Sequence, residues 1–397
     1  MDYPIRGLDR QTPPFLPLEI ALHIIECLRP ERNNTVLPPS HEITKTLLSA
    51  RLVCHAVNST AVKILHQHAM YIGTNEQAQV LSANLIDSTL KPGISNAFKS
   101  LWSDFDTVTN LVLSLFPYPD EDEGTHKRPA AQIAANQVQR DNLDDESDSQ
   151  SDAEIISPLN DMPTALALRD ILLTAAPSLR SLVINIPLRS LYPEDDHRFV
   201  RPIIRQGFEG LTNLEEFCSI QDELYLDVFH GQDPVWADYW PKLRRLQLYN
   251  PMIDADSGIW THMARLPSLE TVVFVRADPG DLDMLNLKEM WLDAVNAEVS
   301  RPNGVQTARS KNITIIMVNV PPSQPDYAHF KENWRALDPD GNARVLLKDV
   351  PVPKKYRKSK REWKWSLDPI VTTQDCVLGW AADGVLWDDE DGTREVA

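Results

Sequence analysis

One apolar phrase recurs through the middle of the chain, and it limits the folds that the chain can adopt. Its residues follow the pattern Leu-x-x-Leu-x-Leu, and each copy comes after a segment with helical spacing and a short turn. The last three positions of each copy alternate, which is typical of a short strand with one buried face. The five copies are VTNLVL at 108–113, LRSLVI at 179–184, LEEFCS at 214–219, LRRLQL at 243–248 and LETVVF at 269–274.

Neither such a strand nor the helix-like segment before it can bury its apolar side alone. Successive units must therefore stack into a continuous core. Strands and helices that alternate in this way require right-handed crossovers and a parallel sheet. The phrase thus predicts an α/β fold, an α/β solenoid with a curved parallel sheet over residues 71–330. A doubly wound α/β domain is the rival, but no strand here is followed by a Gly-rich phosphate loop. The repeats resemble leucine-rich repeats of the irregular kind.

The chain after residue 280 predicts one more unit and then a different segment. DMLNLKEMWLDAVNAEVS has the spacing of an amphipathic helix, and the β-branched run NITIIMVNV after it suits a buried strand. Residues 331–397 are rich in Trp, and we expect them to form a cap or tail over the open end of the solenoid. Five Trp residues carry this expectation: Trp334, Trp363, Trp365, Trp380 and Trp387.

Two charged stretches interrupt the apolar pattern. The net charge is −18, and residues 120–154 contribute eleven Asp and Glu against three Lys and Arg. That stretch is poor in aromatic and β-branched residues, so we expect a disordered insert at about 119–160. KKYRKSKREWKW at 354–365 is basic, and four interpretations are open: a nuclear import signal, pairing with an acidic segment, a solvated segment without a partner, or a nucleic-acid contact. The residues of the import signal would be Lys354, Lys355, Arg357, Lys358, Lys360 and Arg361.

Two N-terminal blocks predict a small helical module. They read FLPLEIALHIIECL at 15–28 and TLLSARLVCHAVNSTAVKIL at 46–65. Ile20, Ile24 and Leu28 are four residues apart and share one side of a helix. A module of this size buries little apolar surface by itself, which favours a partner that covers the rest.

The same blocks resemble the F-box. Leu16-Pro17 matches the start of its first helix, Glu19 begins the spacing E-I-x-x-x-I-x-x-x-L, and residues 47–54 match L-L-x-x-R-L-V-C. We assign residues 13–70 to this module. The resemblance implies docking onto the adaptor of a cullin-RING (SCF-type) ubiquitin ligase, with the repeats holding an unknown protein target. It also implies the adaptor-binding residues, which are Leu16, Pro17, Ile20, Leu48, Leu52 and Val53.

The main alternative is a repeat scaffold unconnected with ubiquitin, whose N-terminal helices only cap the first repeat. The two hypotheses differ in one structural respect. Docking onto an adaptor requires Leu16, Pro17 and Leu52 to be partly exposed, whereas a cap would pack them against the first repeat.

The sequence offers no catalytic or metal-binding motif. It contains no G-x-S-x-G, H-E-x-x-H or Walker pattern, and its four Cys are far apart, so we expect no enzyme activity, metal or cofactor. Cys54 is interpreted as a core residue beside an exposed His55, and His66 and His68 as surface residues. DPDGNA at 338–343 is interpreted as a turn. No apolar run is long enough to span a membrane, so we expect a cytoplasmic or nuclear protein without a membrane partner. We do not expect nucleic acid as a partner.

Overall fold

The computed structural model describes residues 16–86, 105–117, 157–277, 282–300, 312–320, 325–351, 369–388 and 393–396 of the chain. Within this described part the protein is α/β, with one sheet and helices on both of its faces. The predicted class is therefore confirmed. The acidic residues 120–154 and the basic run 354–365 lie outside the described residues.

The sheet has nine strands in the described part, and each strand pairs with the next one along the chain. Pairing is parallel from β1 to β8, and β9 returns antiparallel to β8. The strands are β1 Tyr71–Ile72, β2 Asn110–Leu113, β3 Ser181–Ile184, β4 Glu216–Ser219, β5 Arg245–Tyr249, β6 Thr271–Val275, β7 Ile313–Asn319, β8 Ala343–Asp349 and β9 Thr393–Glu395.

All five copies of the apolar phrase form the expected strands, β2 to β6, and the run NITIIMVNV forms β7. In the register of the sheet, the fourth residue of each phrase pairs with the fourth residue of the phrase in the next strand. The aligned residues run Leu111, Leu182, Phe217, Leu246, Val272 and Ile315. Each is fully buried, so this row forms the centre of the core on the first face of the sheet. The parallel sheet predicted from the phrase is therefore present.

Eleven α-helices occur in the described residues. Those that connect successive strands pack on the first face, where α5 begins at an N-cap, Asp161, whose side chain accepts a hydrogen bond from Thr164 N at 3.3 Å. The helices are α1 Leu18–Glu26, α2 Glu42–Ala50, α3 His55–His68, α4 Asn75–Ile86, α5 Met162–Ala175, α6 Val200–Glu209, α7 Val235–Tyr239, α8 Ile259–Arg265, α9 Leu287–Val299, α10 Lys331–Leu337 and α11 Pro369–Ala382.

The second face of the sheet is also covered. Successive strand residues point to opposite faces, so Val183 and Cys218 form a second core with Val377 and Ala381 of α11. Helix α11 thus packs across the surface that the sheet would otherwise offer to solvent. Both faces of the sheet are buried in the described part of the chain.

The Trp-rich segment is placed differently from the expected cap. The sheet does not end near residue 330, because α10 and β8 continue it by another helix and strand. Trp334 is buried in the core of the first face, whereas Trp380 and Trp387 pack against the core of the second face. The segment is therefore divided between the two faces, because its apolar residues lie on two helices separated by β8.

The acidic insert was expected to extend to about residue 160, but residues 157–160 belong to the folded part of the chain. Leu159 is buried in the core, and Ser157 Oγ lies 2.9 Å from Ser190 Oγ. The segment from Ser157 onward is therefore packed, because Leu159 supplies an apolar side chain just before α5.

Candidate functional site

The three N-terminal helices form a unit with its own core. One stripe from each helix meets in this core, which is separate from the core of either sheet face. A three-helix unit of this kind buries only the inner side of each helix, and the outer sides stay available. Its buried members are Ile25, Leu47, Ala50, Val57, Ala61, Ile64 and Leu65.

All six residues predicted to contact an adaptor lie on the outside of this unit. Every one is exposed, and the largest fractions are 76% for Leu52 and 71% for Val53. Ile24 is also exposed, although the prediction did not include it among the adaptor contacts. The six are Leu16, Pro17, Ile20, Leu48, Leu52 and Val53. We call these six residues together with Ile24 the N-terminal apolar surface.

The backbone holds this surface in place. Pro17 O accepts hydrogen bonds from Ile20 N and Ala21 N, both at 3.1 Å, which fixes the start of α1. In the turn after α2, Leu52 N donates to Ser49 O at 3.1 Å and Val53 N donates to Ala50 O at 3.0 Å. These bonds present the exposed side chains on ordered backbone instead of a loose loop.

Spacing places the members of the surface along two lines. Leu16, Ile20 and Ile24 are four residues apart, so they follow one side of α1 and the turn before it. Leu48 and Leu52 have the same separation at the end of α2. Glu19 and Ser49, which lie between members of the surface along the chain, are exposed polar residues. The arrangement is suited to contact with an apolar groove of another protein.

The end of α3 attaches the unit to the sheet, and here the prediction about two His residues was wrong. His66 and His68 are buried instead of exposed. His66 Nδ1 lies 2.9 Å from Thr107 Oγ1, and His68 Nδ1 lies 3.1 Å from Thr35 O. Burial lowers the pKa of His68 below its ordinary value, and nearby Arg29 lowers it further. The reason is that the last turn of α3 inserts between two loops, a contact that local spacing does not reveal.

The interpretation of Cys54 as a core residue was also wrong. Its side chain is exposed, and its backbone is extended at the start of α3, with φ −161° and ψ 168°. The preceding residues Leu52 and Val53 are exposed as well, so the chain turns outward before α3 begins. Among the described residues, no cluster of three or more His, Cys, Asp or Glu is suited to hold a metal ion.

The turn predicted at 338–343 is present. Asp338 accepts hydrogen bonds from Asn342 N at 2.8 Å and from Ala343 N at 2.9 Å, and Gly341 has φ +67°. Lys288 Nζ lies 3.4 Å from the same carboxylate. Burial alone would raise the pKa of Asp338, but the two amides and Lys288 hold it below its ordinary value. This Asp closes a turn before β8 and does not form part of a calcium loop.

A buried acid in the loop after β4 gave no signal in the sequence. Asp222 Oδ1 accepts a hydrogen bond from Leu224 N at 2.9 Å, and Oδ2 accepts one from Arg189 N at 3.2 Å. Burial raises the pKa of Asp222 to about 7, and the neighbouring Glu223 carboxylate adds to this effect. Asp222 links the loops after β3 and β4 and has no contact with the N-terminal apolar surface.

The raised pKa predicts that stability falls as pH rises through the range in which Asp222 ionises. Above about pH 4 an unfolded Asp has lost its proton, whereas folded Asp222 keeps it up to about pH 7. The folded state therefore binds more protons between these values, and the free energy of unfolding should fall by on the order of 1 kcal/mol per pH unit. Asp222→Asn should flatten this slope. Urea unfolding at pH 5, 6 and 7 measures it, and an unchanged slope in the variant would contradict the assignment.

No family model, no curated protein and no solved structure matches the chain.

Across the described ranges, no helix combines the length and the apolar character that a membrane crossing requires.

Proposed function

We propose that the chain is the substrate-recognition subunit of a cullin-RING (SCF-type) ubiquitin ligase. Helices α1 to α3 act as an F-box that binds the adaptor through the N-terminal apolar surface. The observation that carries this proposal is the exposure of all six predicted contact residues on a unit with its own core. Exposed apolar side chains grouped on one module are typical of a protein interface.

The same exposure favours this function over the capping alternative. A cap would bury Leu16, Pro17 and Leu52 against the first strands. Instead, the unit contacts the sheet through the end of α3 and the loop before α2, where His68 and Thr35 lie. The outer sides of α1 and α2 are thus available to a partner, which supports the receptor function over the cap.

The second part of the proposal concerns the repeats. We interpret them as irregular leucine-rich repeats in a solenoid. Two observations support this interpretation: the strands pair strictly in chain order, and the phrase keeps its register from β2 to β7. In this arrangement the solenoid holds the target near the ligase, and lysine modification is carried out by other subunits through proximity.

The test is a binding assay between the full chain and purified adaptor–cullin complex. Wild type should be retained by the immobilised complex, and Leu16→Ala/Pro17→Ala should weaken retention at least about tenfold because it removes an exposed anchor. Val299→Ala is the control, since Val299 is a large exposed aliphatic residue at the end of α9. Circular dichroism checks that each variant is folded. If wild type fails to bind, the capping alternative takes precedence.

A further inference from the structure

One edge of the sheet carries an unusual series of exposed apolar side chains. Four consecutive strand-to-helix loops contain one each: Phe199 after β3, Phe229 after β4, Met252 after β5 and Met284 after β6. Because β3 to β6 are parallel and adjacent, the loops after them lie side by side at the carboxyl ends of the strands. We call the surface formed by the described residues of these four loops the loop edge.

Contacts between the loops make the first part of the loop edge continuous. The rings of Tyr192 and Tyr225, from the loops after β3 and β4, lie 5.9 Å apart. His230 Nε2 is 3.4 Å from Glu194 Oε2, again between the same two loops. Arg201, at the start of α6, donates from Nη2 to Tyr225 O at 3.0 Å. Phe199 and Phe229 therefore project from two loops that are joined by direct contacts.

The backbone of the loop edge is strained in a regular way. Each of the same four loops has one residue other than glycine with positive φ: Phe199 at 58°, Leu224 at 63°, Asn250 at 50° and Arg276 at 49°. The left-handed conformation is unfavourable for residues with a Cβ, and such strain collects at functional sites. Phe199 is the clearest case, because it is 71% exposed and gains no burial to offset the strain.

The loop edge also has a charge that indicates the chemistry of a partner. Residues 187–199, 220–234 and 250–258 contain nine Asp and Glu but two Arg, which gives a net charge of −6 where Asp222 keeps its proton. Four of these acids are exposed, namely Glu194, Asp195, Asp233 and Asp256. Glu194 and Asp233 also make contacts within the chain, with His230 at 3.4 Å and with Arg265 at 3.9 Å, but the side chains of both acids remain about half exposed.

Neither face of the sheet is open to a binding partner in the described part of the chain. Connecting helices cover the first face, and α11 covers the second, where Val377 and Ala381 are buried against the strands. The loop edge therefore combines exposure, apolar side chains and negative charge. Complementary charge steers association, and apolar anchors supply most of the affinity at an interface.

We infer that the loop edge binds a basic protein segment that carries apolar side chains among its Lys and Arg residues. This inference rests on the proposed function, in which the segment belongs to the target of the ligase. Phe199 and Phe229 contact its apolar side chains, and the exposed acids pair with its cations.

A fluorescein-labelled peptide of alternating Lys and Leu provides the probe, and fluorescence anisotropy with the full chain measures its affinity. Phe199→Ser/Phe229→Ser should weaken binding about tenfold or more, since both anchors are removed. Val299→Ser is the control and should bind as wild type does, because Val299 is exposed but lies at the last residue of α9, at the other end of that helix from the loop after β6. Equal affinity in the double variant, or equal binding of a Glu–Leu peptide, would overturn the inference.

A photo-crosslinking version of the peptide locates the contact. Crosslinks should fall within residues 187–199 and 220–234. Crosslinks confined to the acidic residues 120–154 would also overturn the inference, because that stretch would then account for the binding. The double variant should still bind the adaptor complex. A chain that binds the peptide at the loop edge but not the adaptor would refute the proposed function and leave the loop edge as a binding surface.

The substitution Phe199→Gly should change peptide affinity and protein stability in opposite directions. Glycine adopts positive φ without strain, so this variant should raise the unfolding temperature by about 2 °C. Peptide affinity should fall, because the exposed ring is lost. Differential scanning calorimetry and the anisotropy assay together measure both effects. A variant that is less stable than wild type and keeps full affinity would show that Phe199 has only a structural role.

Discussion

Replacing Leu52 and Val53 together by Asp should reduce adaptor affinity by at least about a hundredfold. Truncating a buried interface anchor commonly costs about 2 kcal/mol or more, and an Asp in its place adds the cost of burying a carboxylate without a partner. Both residues are largely exposed in the isolated chain, at 76% and 71%. The substitutions therefore remove little internal packing, and the free energy of unfolding should change by less than about 0.5 kcal/mol.

A matched control strengthens this prediction. Val299 is 69% exposed, close to the value for Val53, and lies at the end of α9 away from the N-terminal unit. Val299→Asp should leave adaptor affinity unchanged. Surface plasmon resonance with immobilised adaptor–cullin complex compares the three proteins. Similar loss in the control and the double variant would mean that the added charge, and not the N-terminal apolar surface, causes the effect.

Arg201→Met should lower the free energy of unfolding by about 3–5 kcal/mol, the largest stability effect that we expect. Arg201 is 1% exposed, and its guanidinium donates to four backbone carbonyls in the loops after β3 and β4. Two of these bonds are Nη1 to Leu188 O at 3.2 Å and Nη2 to Tyr225 O at 3.0 Å. Met fills the space but leaves the four carbonyls without their donor, and each unpaired buried group costs about 1–3 kcal/mol before the loops relax.

Arg198→Met is the control for Arg201→Met. Arg198 is exposed and donates from Nη1 to one carbonyl, Asn160 O, at 3.0 Å. The same substitution there should change stability by about 1 kcal/mol or less. Urea unfolding followed by tryptophan fluorescence compares the two. Equal destabilisation of both variants would contradict the role given to the buried guanidinium.

The sequence predicts the sheet well because the apolar phrase is local and periodic. Leu182 and Leu246 occupy equivalent positions in their copies, and the structure places them in equivalent rows of the sheet. Spacing also indicated the helices of the N-terminal unit. An exposed Leu52 cannot be inferred from spacing by itself, so this part came from resemblance to a known module.

Long-range packing limits what the sequence can predict. Helix α11 covers the second face of the sheet through Val377, but nothing in its own spacing specifies the surface that it meets. Buried charged residues are also hard to predict from the sequence, because charged side chains are normally exposed. Arg201 and Asp222 are buried because backbone groups of distant loops satisfy them, and such partners become adjacent only after folding.

Hydrogen exchange of the full chain with and without adaptor–cullin complex tests the central claim most directly. We predict slower amide exchange in residues 16–28 and 46–57 when the complex is present, while exchange in β3 to β6 stays unchanged. Protection confined to the sheet or its loops, with no change in the N-terminal unit, would contradict the assignment of the N-terminal apolar surface as the adaptor-binding site.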